Sequence, residues 1–574
     1  MARTGAQFLA DAMVSWQVDH VFFVDAILRE TLVELERRGV RRILAHSEAA
    51  AVYMADGYAR ASRRLGVCMA QSVGAANLAA ALQDAYLNRS PVLALTGRKT
   101  AMYQHRNAYQ ELPHDPMFAS VTKFRADVGE PGQLPYLLSQ AMVEATSGCR
   151  RPVHLDLAGY RGSEIENADL PVADDHLASF AARRAPAPGL PDANTLRDAA
   201  GVIASARRPM LVLGVGAAGE EGTAAAVAAF CERFAVPVAT SVGGRGLIPT
   251  SHPLHFGVVG TYSAPYANEV LAQADLVVYA GCHVGDQVTC DWRVPAVGTP
   301  IIQIDVDPAE IGRNYPGVVG LVGDPARVLA ALADAGLPPD RHAERGRSAW
   351  LETCRGARDR WHASQDRVTR SDARPIRSER LAAELSDCLP DPAILVADTG
   401  FQATWTAQFT QLRGAGQRYL RAAGSLGWAF PAAIGAACAS PGTPVVCFTG
   451  DGALHYHLGE LETLRRWAIP LVVVVNNNAA LGQGLRSVRK LYQGREGRAG
   501  DLAIFTDVDF AALARGFGLK GVRVTDPAAI VSTVRAAVAS GDPCVIDVVT
   551  DPDCNPEPAW LPSDRAPVPA MARG

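Results

Sequence analysis

No two of the eleven cysteines, spread from Cys68 to Cys554, fall into CxxC spacing. That absence excludes a zinc ribbon and a disulfide framework and leaves thiols of a reducing compartment. Charge of one sign is lacking too. A net charge of −4 and a pI near 6.4 offer no footprint for nucleic acid or an anionic membrane, so a small-molecule partner is expected. No apolar run reaches the length of a membrane span, and the opening from Met1 to Gln7 lacks the charged and apolar regions of a signal peptide; a cytoplasmic protein is expected. The histidines show no ligand spacing. His455 and His457 are one residue apart, which on a helix turns them to different faces, and loop or helix-start positions suit them better.

What is present is apolar material in a repeated order. Residues of hydrophobic type make up 48 % of a 574-residue chain, too long for one core and suited to three domains. Short apolar runs at Val21–Val24, Ile43–Ala45, Val67–Ala70 and Val92–Leu95 alternate with amphipathic stretches, the pattern of a doubly wound α/β domain with a parallel sheet. The alternation restarts at Met210–Leu213 and again at Ile394–Val396, Val445–Phe448, Leu471–Val475 and Val545–Val549. Three α/β domains are therefore expected, at 1–170, 190–338 and 375–555, with a Pro- and Ala-rich linker at Ala181–Pro191. A polar, partly helical connection is expected at Arg341–Arg374, and the five prolines after Asn555 predict an extended tail over 556–574.

The third domain carries the decisive motif. Residues 444–478 read as a strand, the acidic turn Gly450-Asp451-Gly452, a helix and a second strand ending in amides. In open parallel sheets ligands sit beyond the carboxyl ends of the strands, so Asp451 and Asn478 project to one edge and offer two oxygen ligands. Mg²⁺ is usually held by one or two protein groups while a phosphate supplies the rest. Gly450 and Gly452 let the backbone approach a diphosphate, and the next helix points N–H groups at it. Glu48 follows Ser47 at the start of a helix and precedes an alanine run, a dry setting that raises a carboxyl pKa; taken alone, a first-turn glutamate complementing the helix dipole is the plainer reading.

These motifs resemble those of the thiamine-diphosphate-dependent enzymes, and the whole chain resembles their acetolactate-synthase-like group through Ser47-Glu48, Gly74-Ala75-Ala76-Asn77-Leu78, Ile304-Asp305-Val306-Asp307-Pro308 and the run from Gly427 to Gly435. The resemblance implies pyrimidine-binding, central and diphosphate-binding domains. It implies Glu48 and Gln110 as catalytic residues, and Mg²⁺ on Asp451, Asn478 and Ala480. Thiamine diphosphate would lie on Gly74, Asn77, Gly400, Gln402, Gly450, Gly452 and Ala453, with Leu426 as the aliphatic prop. It further implies a homodimer or dimer of dimers with active sites at the subunit interface.

Departures from the family pattern concern the substrate. Arg98, Lys99, His105 and Arg106 stand where relatives mostly carry uncharged groups, and with Tyr109, Gln483 and Arg486 they form a candidate pocket for an anionic substrate. Ser487 replaces a tryptophan, and Ser72-Val73-Gly74 replaces Gly-Pro-Gly. In the central domain Gly214-Val215-Gly216, Gly243-Gly244-Arg245-Gly246 and the Asp305 strand end leave FAD or ADP open, with flavin disfavoured because His283 stands for the family's arginine. The expected activity is 2-oxo-acid decarboxylation and carboligation on a non-standard substrate. A C–C lyase or hydrolase of 2-hydroxy ketones, 2-hydroxyacyl thioesters or cyclic diketones is one rival, and a catalytically silent binding subunit is the other.

Overall fold

The structure, a computed structural model, describes residues 3–170, 188–219, 222–335 and 341–563. Most of the expected linker (181–187) and the end of the expected tail (564–574) lie outside them. Among the described residues no helix is long and apolar enough to cross a membrane.

Three six-stranded sheets are present, and every pairing within them is parallel. The first contains β1 (His20–Phe23), β2 (Arg41–Leu44), β3 (Gly66–Ala70), β4 (Val92–Arg98), β5 (Phe124–Val128) and β6 (Val153–Ala158) in the order β2-β1-β3-β4-β6-β5. The second holds β7 (Pro209–Leu213), β8 (Val238–Thr240), β9 (His255–Val258), β10 (Leu276–Ala280), β11 (Ile301–Asp305) and β12 (Val319–Val322) in the order β9-β8-β7-β10-β11-β12, the dinucleotide-fold order. The third has β13 (Ala393–Ala397), β14 (Gln417–Arg421), β15 (Val445–Gly450), β16 (Leu471–Asn477), β17 (Lys520–Val524) and β18 (Cys544–Val549), ordered β14-β13-β15-β16-β18-β17. The first and third sheets thus share one strand order. Their central strands are buried on both faces, which is why they read as unbroken Val/Leu/Ile runs.

By packing, the chain forms two compact units: Met1–Ala187 with Asp372–Gln402 and Gly416–Cys554, and Pro188–Ser371 with Ala403–Ala415 and Asn555–Gly574. In the second, the stretch expected as a partly helical connection is one helix, Arg341–Thr369. Ala343, Trp350, Cys354, Ala357 and Trp361 are buried along it, a stripe at helical spacing that its polar composition obscured. The described start of the tail has no regular structure, yet Glu557 is fastened by Trp361 Nε1 (2.9 Å) and Gln365 Nε2 (2.9 Å).

In the first unit two sheets become one body through α1 (Glu48–Ser62), α2 (Gly74–Leu87) and α3 (Ala429–Ala439). Helix α1 crosses α3 at Gly57 and Gly435. A Cβ on Gly57 would lie 2.0 Å from the Ala432 carbonyl oxygen, and one on Gly435 would lie 1.8 Å from that of Met54. Around the crossing, Trp428 Nε1 donates to the buried Asp56 (2.8 Å), and Arg418 donates to the Ala61 and Arg60 carbonyls (2.7 and 2.8 Å). Asp84 of α2 accepts the backbone N–H groups of Ala423, Gly424 and Ser425 at 2.8, 3.1 and 2.9 Å. A single apolar core runs from Phe22 to Val545 through both domains.

Helix propensity alone favours alanine over glycine by about 1 kcal/mol in a helix interior, whereas overpacking a closed interface costs about 1–3 kcal/mol or more. The contact at Gly435 is with backbone, which cannot rotate away, so Gly435→Ala is expected to lower the urea midpoint rather than raise it. Asp84→Ala removes the shared acceptor of three part-buried or exposed N–H groups, at about 0.5–1.5 kcal/mol for each hydrogen bond lost; it should loosen the 423–429 loop, read as faster amide exchange there.

Candidate active site

The third sheet reverses its winding between β13 and β15, and the loops that leave these two strands carry Asp398-Thr399-Gly400 and Asp451-Gly452. A topological switch of this kind opens a crevice at the carboxyl edge. Gly450 pairs in register with Asn476, so the acidic turn and the amide run leave the sheet side by side. The three amides are then told apart by their partners. Asn476 Oδ1 accepts from Thr550 (2.6 Å) and Ser378 (3.2 Å), and Asn477 Nδ2 donates to Asp547 (2.9 Å). Asn478 is left at the edge, where its Oδ1 accepts the Ala480 N–H at 3.1 Å.

The Gly452 and Ala480 N–H groups also support the Asp451 carboxylate, while its Oδ2 is buried and has no hydrogen-bond partner. Burial pushes this carboxyl up to about 7 despite those N–H groups. A buried, unpaired carboxylate oxygen is costly, and a hard cation beside it removes the cost. No cluster of three or more His, Cys, Asp or Glu suited to a metal exists among the described residues. The arrangement instead fits an ion held by one carboxylate, one amide and backbone oxygen, with phosphate completing the shell. The residues present fit thiamine diphosphate with Mg²⁺.

Small residues shape the bed around this point. A Cβ on Gly450 would meet Gln402 Nε2 at 2.9 Å, one on Gly452 would meet Leu481 Cδ2 at 2.8 Å, and one on Gly400, whose φ is +66°, would meet Gln483 Oε1 at 3.1 Å. Gly400, Gln402, Gly450, Gly452, Ala453 and Gln483 therefore surround one edge. Leu426 is half-buried, so it is not an ordinary core leucine. Its loop is clamped by Asp84 on one side and on the other by Asp398, which accepts the N–H groups of Gly427 and Ala429 at 3.1 Å each. Burial pushes the Asp398 carboxyl up to about 6. His455 packs against Phe505 and Phe510, and the buried His457 meets the edge of Tyr53.

A second cluster belongs to the first sheet. Ser47 caps α1 by accepting the Ala50 N–H (3.1 Å), which starts the helix at Glu48. Asn77 Nδ2 donates to Glu48 Oε2 at 3.0 Å, and a Cβ on Gly74 would lie 2.7 Å from Oε1. Glu48, Gly74 and Asn77 are thus brought together as expected from the sequence, but Glu48 is half-buried rather than in a dry enclosure, because the helix start lies at the sheet edge with only small residues beside it. Gln110 is held at both ends of its carboxamide: Tyr160 Oη donates to Oε1, and Nε2 donates to Tyr109 Oη (3.1 Å).

Of the cationic candidates, Arg98 is turned to Asp127 (3.5 Å) and Lys99 Nζ lies 4.3 Å from the Tyr160 ring centre. His105 contributes a backbone N–H to Glu111 (2.6 Å), and Arg106 is exposed. Arg486 and Gln483 are exposed on α4 (Gly482–Tyr492). His105, Asn107 and Gln110 all have left-handed backbones, φ 61°, 54° and 58°, at a cost of about 1–3 kcal/mol each. Tyr160, Asp84 and Asp398 were not singled out from the sequence; the Asp398-Thr399-Gly400 strand end was the available signal for the last.

The central-domain glycines have a packing role. A Cβ on Gly214 would lie 2.1 Å from the Gly281 carbonyl oxygen, and one on Gly244 would lie 2.4 Å from that of Leu213. Asp305 Oδ1 accepts the Asp307 N–H (3.0 Å), and His283 lies 3.8 Å from Glu310.

Comparison with known proteins agrees with this geometry. Residues 3–117, 196–332 and 398–548 match, in turn, the N-terminal TPP binding domain, the central domain and the C-terminal TPP binding domain of the thiamine pyrophosphate enzymes. The chain is 31 % identical over 541 residues to the probable acetolactate synthase large subunit of Methanocaldococcus jannaschii, covering 92 % of this chain and 87 % of that protein. It is 32 % identical to the acetolactate synthase large subunit of Parasynechococcus marenigrum (95 % and 87 % covered) and 29 % identical to acetolactate synthase isozyme 2 large subunit of Escherichia coli (95 % of each). The chain belongs to the thiamine pyrophosphate (thiamine diphosphate) enzymes, in their acetolactate-synthase-like group, and is an enzyme of carbon–carbon bond chemistry.

Proposed function

We propose that this enzyme is a Mg²⁺-dependent 2-oxo-acid decarboxylase and carboligase whose substrate differs from that of the acetolactate synthases it resembles. The observation that carries the reading is the buried, unpaired Oδ2 of Asp451 beside Asn478 and Ala480. Asp451, Asn478 and the Ala480 backbone would hold Mg²⁺. Gly400, Gln402, Gly450, Gly452 and Ala453 would hold the diphosphate, and Glu48, Gly74 and Asn77 the pyrimidine. When bound, the cofactor supplies an electron sink next to the carbonyl carbon whose bond is broken or made.

The chain's own residues do the rest. Asn77 occupies Glu48 Oε2 and thereby leaves Oε1 to hold a proton shared with a ring nitrogen. Leu426, on a loop clamped from two sides, would support the cofactor from a fixed position. Gln110, locked by two tyrosines, presents an amide of fixed orientation to the substrate, and loss of such fixed orientation slows a reaction strongly. Ser487 leaves different space and polarity from the tryptophan of the family pattern, which supports a changed acceptor. Lys99 and Arg106 support an anionic substrate.

The Glu48 cluster is built from residues before 161 and the Asp451 cluster from residues after 397. We take the complete site to form between two copies of the chain, in a homodimer or dimer of dimers. The cytoplasm is the proposed location, supported by eleven free cysteines, most of them buried. The loop packing of the central glycines is consistent with a nucleotide fold kept for its packing; stoichiometric flavin absorbance in purified protein would count against that reading.

Glu48→Gln removes the proton-holding carboxyl while keeping shape, and turnover is expected to fall at least about a hundredfold with little change in stability. The assay is CO₂ release from a panel of neutral and anionic 2-oxo acids, with products identified by mass spectrometry. Wild-type turnover in the variant would sink the assignment of Glu48. Cofactor binding without CO₂ from any donor would favour the lyase or hydrolase reading.

A further inference from the structure

Behind Gln110 lies a buried polar chain that the proposed mechanism does not use. Ser72 Oγ donates to the Gln110 carbonyl oxygen and lies 3.4 Å from His114 Nε2. His114 Nδ1 lies 2.9 Å from Asp156 Oδ2, off the line of a straight hydrogen bond. Thr96 Oγ1 donates to Asp156 Oδ1 (2.7 Å) and contacts His154 Nε2 (2.7 Å), and the His154 ring stacks on Phe118 at 3.5 Å. Ser72, Thr96, His114, His154 and Asp156 are each no more than 3 % exposed. Burial opposes ionisation of Asp156, but the close approach of His114, the neighbouring His154 and the Thr96 hydroxyl outweigh burial and hold the carboxyl below its usual range.

The Ser–His–Asp order suggests a nucleophile, and the geometry rejects it. Ser72 is closed off from solvent and its proton is committed to the Gln110 carbonyl, so no substrate carbon can reach it. What the chain does accomplish is local. Gln110 holds an unfavourable left-handed backbone, and Ser72 binds that residue's carbonyl directly. Ser72 also sits two residues before Gly74, which packs on Glu48. One short segment therefore touches the supports of both Glu48 and Gln110. The glycine of the family pattern at this place has no hydroxyl to offer.

We propose that Ser72, backed by His114 and Asp156, is a positioning residue that sets the backbone of Gln110 and through it the orientation of the Gln110 carboxamide. This rests on the reading above, in which Gln110 faces the substrate. Asp156 anchors His114, His114 restricts the Ser72 rotor, and Ser72 holds the carbonyl.

The test uses the full-length protein and two readouts. Without cofactor, amide exchange is followed in the peptide spanning 104–112, where the N–H groups of His105 and Glu111 are hydrogen-bonded. Ser72→Ala and Ser72→Gly should each speed exchange there at least about tenfold, with α1 peptides unchanged, and the isosteric weak donor of Ser72→Cys should fall between. Asp156→Asn, which keeps Ser72 but weakens its backing, should produce a smaller acceleration and serves if the Ser72 variants fold poorly. With thiamine diphosphate, Mg²⁺ and, as probe, the 2-oxo acid of the panel that releases most CO₂, Ser72→Ala should lower kcat/KM about tenfold while cofactor affinity stays within twofold.

Wild-type exchange in both Ser72→Ala and Asp156→Asn would overturn the positioning role while leaving the reading of Gln110 intact. Faster exchange with unchanged kcat/KM would instead overturn Gln110 as a substrate contact, and with it the catalytic part of the proposal.

Discussion

The crossing of α1 and α3 at Gly57 and Gly435 is the contact on which the rest of the first unit depends. Two sheets of identical strand order, far apart in sequence, become one body because two helices approach until only hydrogen fits between their backbones. Close approach brings α2 within reach of the 423–425 loop, so that Asp84 can replace the water its N–H groups would otherwise require. The same approach aligns Asp56 with the Trp428 indole. Leu426 then has a fixed place only because its loop is tied at one end to the first domain and at the other to Asp398. A change that spreads the helices would act on the candidate site without touching any residue in it.

Electrostatics follow from this packing. Burial pushes Asp56 and Asp398 up to about 6 and Asp451 up to about 7, yet the three carboxyls differ in what meets them. Asp398 is supplied with backbone N–H groups and Asp56 with an indole N–H and the Arg60 charge. Asp56 and Asp451 each keep one buried oxygen without a hydrogen-bond partner, but Asp56 has a cation, Arg60, at 4.0 Å, whereas the charge that acts on Asp451 is that of another acid, Asp547. A buried acid that no cation of the fold meets marks a place where a bound cation relieves a cost.

Much of this was readable in the sequence because it is local. The strands betrayed themselves as apolar runs, and a Gly-Asp-Gly turn at one strand end and amides at the next could be placed on one edge by topology alone. Glu48, Gly74 and Asn77 came together as the motifs implied. What escaped was long-range or masked by composition. Asp84 looks like any helix aspartate until residues more than three hundred positions later are folded against it, and Tyr160, His114 and Asp156 lie on a loop, a short helix and a strand that only the closed sheet collects around Ser72. Arg98 carried the right charge for an anion, but Asp127, two strands away in the sheet, meets it. The glycines of the central domain that suggested a nucleotide bed include Gly214 and Gly244, where one backbone presses on another, a contact that no local pattern announces.

The wide separation of Gly57 from Gly435 also governs how the chain is made. About 380 residues lie between them, which at a ribosomal rate of about 5–20 residues per second takes roughly 20–80 s. Throughout that interval the alanine-rich face of α1 has emerged while its partner does not yet exist. Contacts of such high sequence separation form late and slowly, so the newborn first domain must be covered or kept dilute until the third domain arrives. The most sensitive moment in the life of this enzyme is therefore its synthesis, and the segment most exposed to aggregation then is the helix that begins at Glu48.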